Sequence, residues 1–333
     1  MKRFCIAILL ALFCVACRND KPVWQWTLQS RSYAQPVIDG DIVYVVSEAG
    51  EVIAGNYKTG VKQWSQKLDA PIFGDPALSG QYLYTGTGNG ALAAFDKKNG
   101  TQLWRKDFPN FSFVSTLTVY GNTLFAPSRT GVLLALRKEN GDTIWSFPDA
   151  KVLMAEVAIQ GPYVLIGGWD RSMDCLDAAT GLVKWRFPID EPIVGTALVY
   201  NNTIIFGGHA QAFWALDIPT GKLLWKCKAY LHSNAILLKD RLVFGVRNSL
   251  WVVDPHNGNI LRQLQTQGNI DSVYNQDNHC ITISKSKMFR IDIDTSQSDL
   301  LLSAQQPIYR VAFPPGFYIA SDQLYGIRAF RQE

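Results

Sequence analysis

Histidine is scarce in this sequence, and the few present are scattered. His209, His232, His256 and His279 stand 23 or 24 residues apart, a spacing that offers no metal-ligand set. Cysteine is also sparse. The six are Cys5, Cys14, Cys17, Cys175, Cys227 and Cys280, with no C-x-x-C pair, so neither a zinc site nor a disulfide framework is written here. The last three read as small buried hydrophobes, with a cross-link between two of them left open. Charge is low, at 18% of residues, and nearly balanced, with 32 Lys plus Arg against 28 Asp plus Glu, which argues against nucleic acid as a partner. After residue 16 there is no apolar run long enough to span a bilayer and no stretch with the length of an ordinary helix. The Gly-rich GTGNG at residues 86–90 leads into an apolar run of strand character and lacks a phosphate-binding fingerprint, so it reads as a hairpin turn.

What is present is a beat of Gly followed four residues later by Trp. KTGVKQW ends at Trp64, KNGTQLW at Trp104, ENGDTIW at Trp145, ATGLVKW at Trp185 and PTGKLLW at Trp225, with a worn copy, HNGNILR, at Arg262. The steps are 40, 41, 40, 40 and 37 residues, which makes the chain an array of one supersecondary unit. Each period holds short apolar runs split by Gly and Asn-Gly punctuation, which predicts strands. The Gly after Asn or Thr supplies the positive φ of a hairpin, and the Trp lies in the strand leaving it, placed to fill the gap between neighbouring sheets. Four strands per period of about 40 residues predict a β-propeller.

Counting on through the tail gives eight four-stranded blades. FRIDIDTSQSDLLL (289–302) aligns as a seventh with Ser296 in the Gly position, and LYGIRAF (324–330) supplies the third strand of an eighth. Its fourth strand is expected from the N-terminal segment 22–29, with Trp26 in the Trp position. Such closure removes a sheet edge that would otherwise invite aggregation. The expected fold is therefore all-β, an eight-bladed propeller over residues 17–333, closed by its N-terminal strand.

Residues 1–16 read as an export signal. Lys2 and Arg3 precede the apolar core FCIAILLALFCVA, and Val15-Ala16-Cys17 resembles the lipobox of bacterial lipoproteins, with Cys14 where that pattern prefers Leu. Cys17 is the expected lipidation site. Arg18, where Asp would signal inner-membrane retention, implies the periplasmic face of the outer membrane. Losing Lys2 and Arg3 leaves 30 basic against 28 acidic residues, a net charge of +2.

Two polar series run through the repeats. Asp96, Asp177, Asp217 and Asp254 recur eight residues before the Trp position and read as local turn formers. The second series stands five places before each turn that follows a first strand: Gln35, Asp75, Thr116, Glu156, Thr196, Asn234, Ser272 and Arg310. First strands are innermost in a propeller, so this set is expected to ring the axis. It either lines a watery channel or holds a small polar ligand or peptide end through Asp75, Glu156 and Arg310.

The repeat resembles the quinoprotein-type propeller repeat, and lipobox, blade count and N-terminal closure together resemble the BamB family of outer-membrane assembly lipoproteins. That resemblance implies a non-enzymatic, cofactor-free scaffold. It would bind the barrel-inserting subunit, BamA, and aid delivery of unfolded outer-membrane proteins, with inter-blade loops forming the partner surface. In the connection FPDAKVLMAE (147–156), Leu153 and Met154 are candidate apolar anchors, and Phe111 and Phe113 in NFSF are weaker ones; inward packing is the alternative for all of them. Two other functions compete. An anchored propeller could bind another envelope protein, a peptide or a sugar. A quinone-dependent dehydrogenase shares the repeat, but would resemble its relatives in a vicinal Cys pair, calcium-binding side chains and long inserted loops, none of which is written here.

Overall fold

The second repeat shows how the sequence builds its unit. Ala77–Ser79, Tyr82–Gly86, Ala91–Asp96 and Gln102–Asp107 pair antiparallel in chain order. The middle strands, YLYTG and ALAAFD, are apolar toward both faces, because a sheet stacked between two neighbours buries both. The outermost strand, QLWRKD, buries only Trp104.

The computed structural model describes residues 20–148, 153, 155–193, 195, 197–208, 212–230 and 233–332. Among them the chain forms eight four-stranded sheets, the eight-bladed propeller expected from the repeat. Seven sheets follow chain order. The eighth sets the N-terminal strand Trp24–Thr27 beside Gly326–Arg331, with Trp24 opposite Ala329 and Thr27 opposite Gly326. Among the described residues there is no central core. The apolar interior is divided into eight clusters, each shared by two adjacent blades; one joins Tyr44, Val52 and Trp64 of blade 1 to Leu83, Ala93 and Phe95 of blade 2.

The Gly and Trp of one repeat do not meet each other. Each Gly instead receives the indole of the preceding blade. A Cβ on Gly100 would lie 2.7 Å from the Trp64 ring, one on Gly181 would lie 2.6 Å from Trp145, and one on Gly221 would lie 2.6 Å from Trp185. Gly100 also has φ +74°, a left-handed conformation that other residues adopt at a cost. The indole N–H then donates to a carbonyl in the same loop of the next blade: Trp64 to Lys97 at 3.0 Å, Trp104 to Lys138 at 3.0 Å, Trp145 to Ala178 at 3.1 Å, Trp185 to Ile218 at 2.7 Å. The beat is a seam between blades.

At the closing seam the sequence-based register shifts by two residues. Trp24, not Trp26, stands opposite the alanine that pairs with the repeat tryptophan elsewhere, as Ala94 pairs with Trp104. Trp24 covers Gly60 and donates to the Tyr57 carbonyl at 2.7 Å. Trp26 is an additional ring, two residues on and therefore on the same side of the strand, donating to Gly60 O at 2.8 Å and filling the space over Gly55. Two tryptophans thus close the ring where each seam from blade 1 to blade 6 uses one.

The Asp series forms turns, as expected from its position. Asp96 Oδ1 accepts from the backbone N–H groups of Lys98 and Asn99, and Asp177 Oδ1 from those of Ala179 and Thr180. GTGNG is a turn as well, with Gly90 N–H bonded to Thr87 O. In a four-stranded antiparallel blade, the turn between second and third strands and the connection to the next blade emerge on one face of the disc. The Asp turns emerge on the other.

Candidate functional site

The axial series converges. Gln35, Asp75, Thr116, Glu156, Asn234 and Arg310 line one cavity of about 360 Å³ at the inner ends of the blades. Arg310 also borders a second cavity of about 330 Å³ shared with Ser272. Thr196 lies outside the described residues. The six side chains immediately precede or begin the innermost strands, so the cavity belongs to the face carrying the inter-blade connections.

Several ring members bond to their neighbours in the next blade. Gln35 N–H donates to Asp75 Oδ1 at 2.7 Å, and Asp75 N–H donates to Thr116 Oγ1 at 3.2 Å. The Asn234 carboxamide exchanges two bonds with the Val273 backbone, at 2.7 and 2.9 Å. Part of the ring is therefore structural stitching. Asp75 is half-buried, and its carboxyl pKa is pushed up by desolvation, against the opposing pull of the Gln35 N–H and the Arg310 charge.

Sequence reasoning missed part of the lining. Tyr33, Phe73 and Val114 stand two places before the ring residues of blades 1 to 3, and Tyr274 two places after Ser272. The period of two along an extended segment was the available signal. The Tyr274 hydroxyl is buried near Ser272 and Arg310 without a hydrogen bond of good geometry, and Ser115 Oγ, on a residue only 8% exposed, has no partner either. Burial pushes the Tyr274 phenol pKa up, while Arg310 draws it down.

Two of the expected apolar anchors take the inward packing that was their alternative. Leu153 is fully buried in the seam of blades 3 and 4 with Phe125, Trp145 and Ile166, and Ala155 and Val157 after it are buried as well. Phe113 is also fully buried, its Cβ lying against the position that a Cβ on Gly86 would occupy. Phe111 is half-buried, stacking on Phe113 and meeting Phe108 at a tilt. Neither Leu153 nor Phe113 is presented to a partner; Met154 and Cys17 lie outside the described residues.

Other side chains are presented on that face. Trp169, in the turn between the second and third strands of blade 4, is 47% exposed, and Tyr230, in the connection leaving blade 5, is 65% exposed. Between them in sequence lies a groove of about 260 Å³ lined by Asp190, Glu191, Lys226, Lys228 and Tyr230. Lys226 faces Asp190 at 3.6 Å and the Trp214 ring at 4.8 Å. Blade 4 carries a further departure from its repeat. Asp174 occupies the place of Ile53, Ala93 and Leu134, fully buried and held by the Arg186 guanidinium, with Nε donating to Oδ1 at 2.7 Å. Burial still leaves its pKa raised.

Cys175, Cys227 and Cys280 are free and buried, and burial pushes the thiols of Cys175 and Cys280 up to about 12, as fits inert core residues. His256 is exposed, beside Asp254 at 3.1 Å, and His279 is exposed; His209 and His232 lie outside the described residues. Among the described residues no group of three His, Cys, Asp or Glu side chains is placed to hold a metal ion.

Comparison with known proteins agrees with this architecture. BamB from Moraxella catarrhalis superposes with a TM-score of 0.79 at 16% identity, over 94% of this chain and 99% of that one. Sqt1 from Saccharomyces cerevisiae gives 0.77 at 8% identity over 94% and 99%, and a europium-containing methanol dehydrogenase 0.74 at 10% over 90% and 84%. At these identities the likeness is one of fold. No curated protein sequence matches the chain. The family described as outer membrane protein assembly factor BamB matches over residues 12–151 and 129–297, which together take in the closing strand, the first six blades and the first three strands of the seventh, and the chain belongs to that family.

Proposed function

We propose that the chain is a non-enzymatic scaffold lipoprotein of the outer-membrane β-barrel assembly machinery, held at the periplasmic face of the outer membrane by acyl chains on Cys17. It binds the barrel-inserting subunit, BamA, and aids delivery and insertion of unfolded outer-membrane proteins. The family match over residues 12–297 carries this reading. The fold by itself does not, because the same propeller also serves a methanol dehydrogenase.

The docking surface follows from exposure. Trp169 and Tyr230 are large aromatics left in water on one face, and aromatic side chains of this kind are the usual centres of protein interfaces. The lysines and carboxylates of the adjoining groove supply a polar rim. Exposed aliphatic residues such as Val183 and Leu224 sit elsewhere, on the outermost strands around the disc's rim.

The test is affinity capture of the full chain from detergent-solubilised envelope. The barrel-inserting subunit is expected among the captured proteins, and Cys17→Ser should shift the chain from the membrane fraction to the soluble periplasm. Capture of an unrelated envelope protein, a peptide or a sugar in its place would overturn the proposal.

A further inference from the structure

The N-terminal segment reaches the propeller at one edge of the disc. Asp20 N–H donates to the Ser303 carbonyl at 2.9 Å, and the Asp20 carboxylate accepts from Ser303 N–H at 2.9 Å. Ser303 ends the outermost strand of blade 7, Ser298–Ser303, opposite Lys287 at the start of the third strand. That end lies on the face that carries the inter-blade connections. Cys17 stands three residues before Asp20, and three residues of fully extended chain span about 11 Å. An acyl anchor on Cys17 therefore holds the rim between blades 7 and 8 close against the lipid headgroups.

The side chains along this edge suit such a surface. From Ser303 the chain crosses to blade 8, with Ala304 N–H donating to Ser286 O, Ile308 N–H to Lys285 O, and Pro307 O accepting from Gln323 N–H. It thereby ties the turn of blade 7 to the turn of blade 8. The blade 8 turn presents Leu324, 56% exposed, and Tyr325, 42% exposed. Arg31 lies among Tyr33, Tyr309 and Tyr325 and donates to the Tyr33 hydroxyl at 3.0 Å, while Tyr33 stacks on Tyr309 with centroids 5.4 Å apart. Lys21, Lys285 and Lys287 are exposed. Two carboxylates of the edge are tied to backbone, Asp20 on Ser303 and Asp271 Oδ2 on Lys285 N–H at 2.6 Å. Tyrosines and an exposed leucine among lysines and an arginine compose a surface for the headgroup level, where rings sit at the boundary and cations meet anionic lipid.

We propose that the edge formed by blades 7 and 8 is a membrane-contact surface, on which the anchored disc stands tilted against anionic lipid. In a ring of eight, blade 4 stands across the axis from blade 8, so the tilt raises Trp169 and Tyr230 into the periplasm and leaves them to a protein partner. A partner at the blade 7 and 8 edge would have to enter between disc and bilayer, within the reach of the tether. The inference rests on the reading of Cys17 as the lipidated residue.

The test uses the full chain purified from membranes and reconstituted in vesicles of phosphatidylethanolamine and phosphatidylglycerol that include lipid with a nitroxide on its headgroup. Cys175, Cys227 and Cys280 are buried, so a maleimide fluorophore goes to one introduced cysteine, Leu324→Cys or, as the control, Trp169→Cys. Mass spectrometry of the same preparation reports the acyl group on Cys17, and thermal unfolding establishes that each variant is folded. The label at position 324 should lose most of its emission, and the label at position 169 should keep it. Lys285→Gln with Lys287→Gln should shift the contact equilibrium at position 324 toward the free state about fivefold for each charge removed. An acylated chain with no quenching at position 324, with equal quenching at both positions, or with undiminished contact in the lysine variant would overturn the inference and leave the anchor standing. Protection of position 324 by the purified barrel-inserting subunit without quenching by lipid would make this edge a protein interface and overturn it as well. A chain without an acyl group on Cys17 would overturn the anchor reading, and this inference with it.

Discussion

Two seams of the propeller solve one problem with different residues. Between blades 1 and 2, Trp64 lies on Gly100 and its indole donates to the Lys97 carbonyl. Between blades 6 and 7 the tryptophan position is Arg262 and the glycine position Ser296. Arg262 Nη1 donates to the Ile293 carbonyl at 2.7 Å and also to Asp294 O, while Nη2 donates to Ser296 Oγ at 2.7 Å. Ser296 keeps the left-handed backbone, with φ +69°. The guanidinium reaches the loop without laying a flat ring against the turn, so the turn residue can carry a side chain. Loss of Trp and loss of Gly are therefore one substitution spread over two blades, and the apparent decay of the repeat after Trp225 is a coupled exchange.

The largest expected effect tests the first kind of seam. Trp104→Ala removes a ring 8% exposed between blades 2 and 3 and should cost about 3 to 5 kcal/mol in denaturant unfolding. A loss below about 1 kcal/mol would deny the ring its packing role. Next comes Gly100→Ala. Its added Cβ meets both the Trp64 ring and the left-handed penalty, for a loss of about 2 kcal/mol or more. The second kind of seam is tested by a cycle. Arg262→Trp alone should destabilise by about 1 to 3 kcal/mol, because the new ring is driven into the Ser296 side chain. Adding Ser296→Gly should recover most of it, with a coupling of about 1 kcal/mol; additive effects would break the comparison.

The axis differs from both seams, since there the chain accepts a desolvation cost. Asp75 has a raised pKa, so the folded state holds its proton to higher pH than the unfolded chain does. Its contribution to stability therefore falls as pH rises from the ordinary carboxylate range through the raised value. Asp75→Asn should give a small rise in Tm at neutral pH, and that gain should disappear once the pH falls below the ordinary carboxylate range. A fall in Tm at neutral pH would make Asp75 a purely structural residue.

The blades, their number and the closing strand were legible because a repeat states its own period. The partner of each Gly was not, because the sequence places Gly60 four residues from Trp64 while the fold sets it under Trp24, a contact made only when the ring closes. Trp26 drew the eye for the same reason, two residues from the position that the pairing with Ala329 assigns to Trp24. At the axis, position five before the turn was enough to bring Gln35, Asp75 and Arg310 together, but not Tyr33 or Tyr274, whose places follow from strand alternation. Leu153 and Phe113 show the limit of reading loops by hydropathy. An apolar residue in a connection is as easily the first inward side chain of the next blade as an exposed anchor, and burial decides between them.

The functional claim centres on one face of the disc, so the most direct measurement compares faces. Binding of the full chain to the purified barrel-inserting subunit should weaken about tenfold or more when Trp169 and Tyr230 are both replaced by Ala, as for central aromatic contacts, and stay unchanged in Val183→Ser with Leu224→Ser on the rim. A folded Trp169→Ala, Tyr230→Ala variant that binds like the parent, with binding lost in the rim variant, would contradict the account.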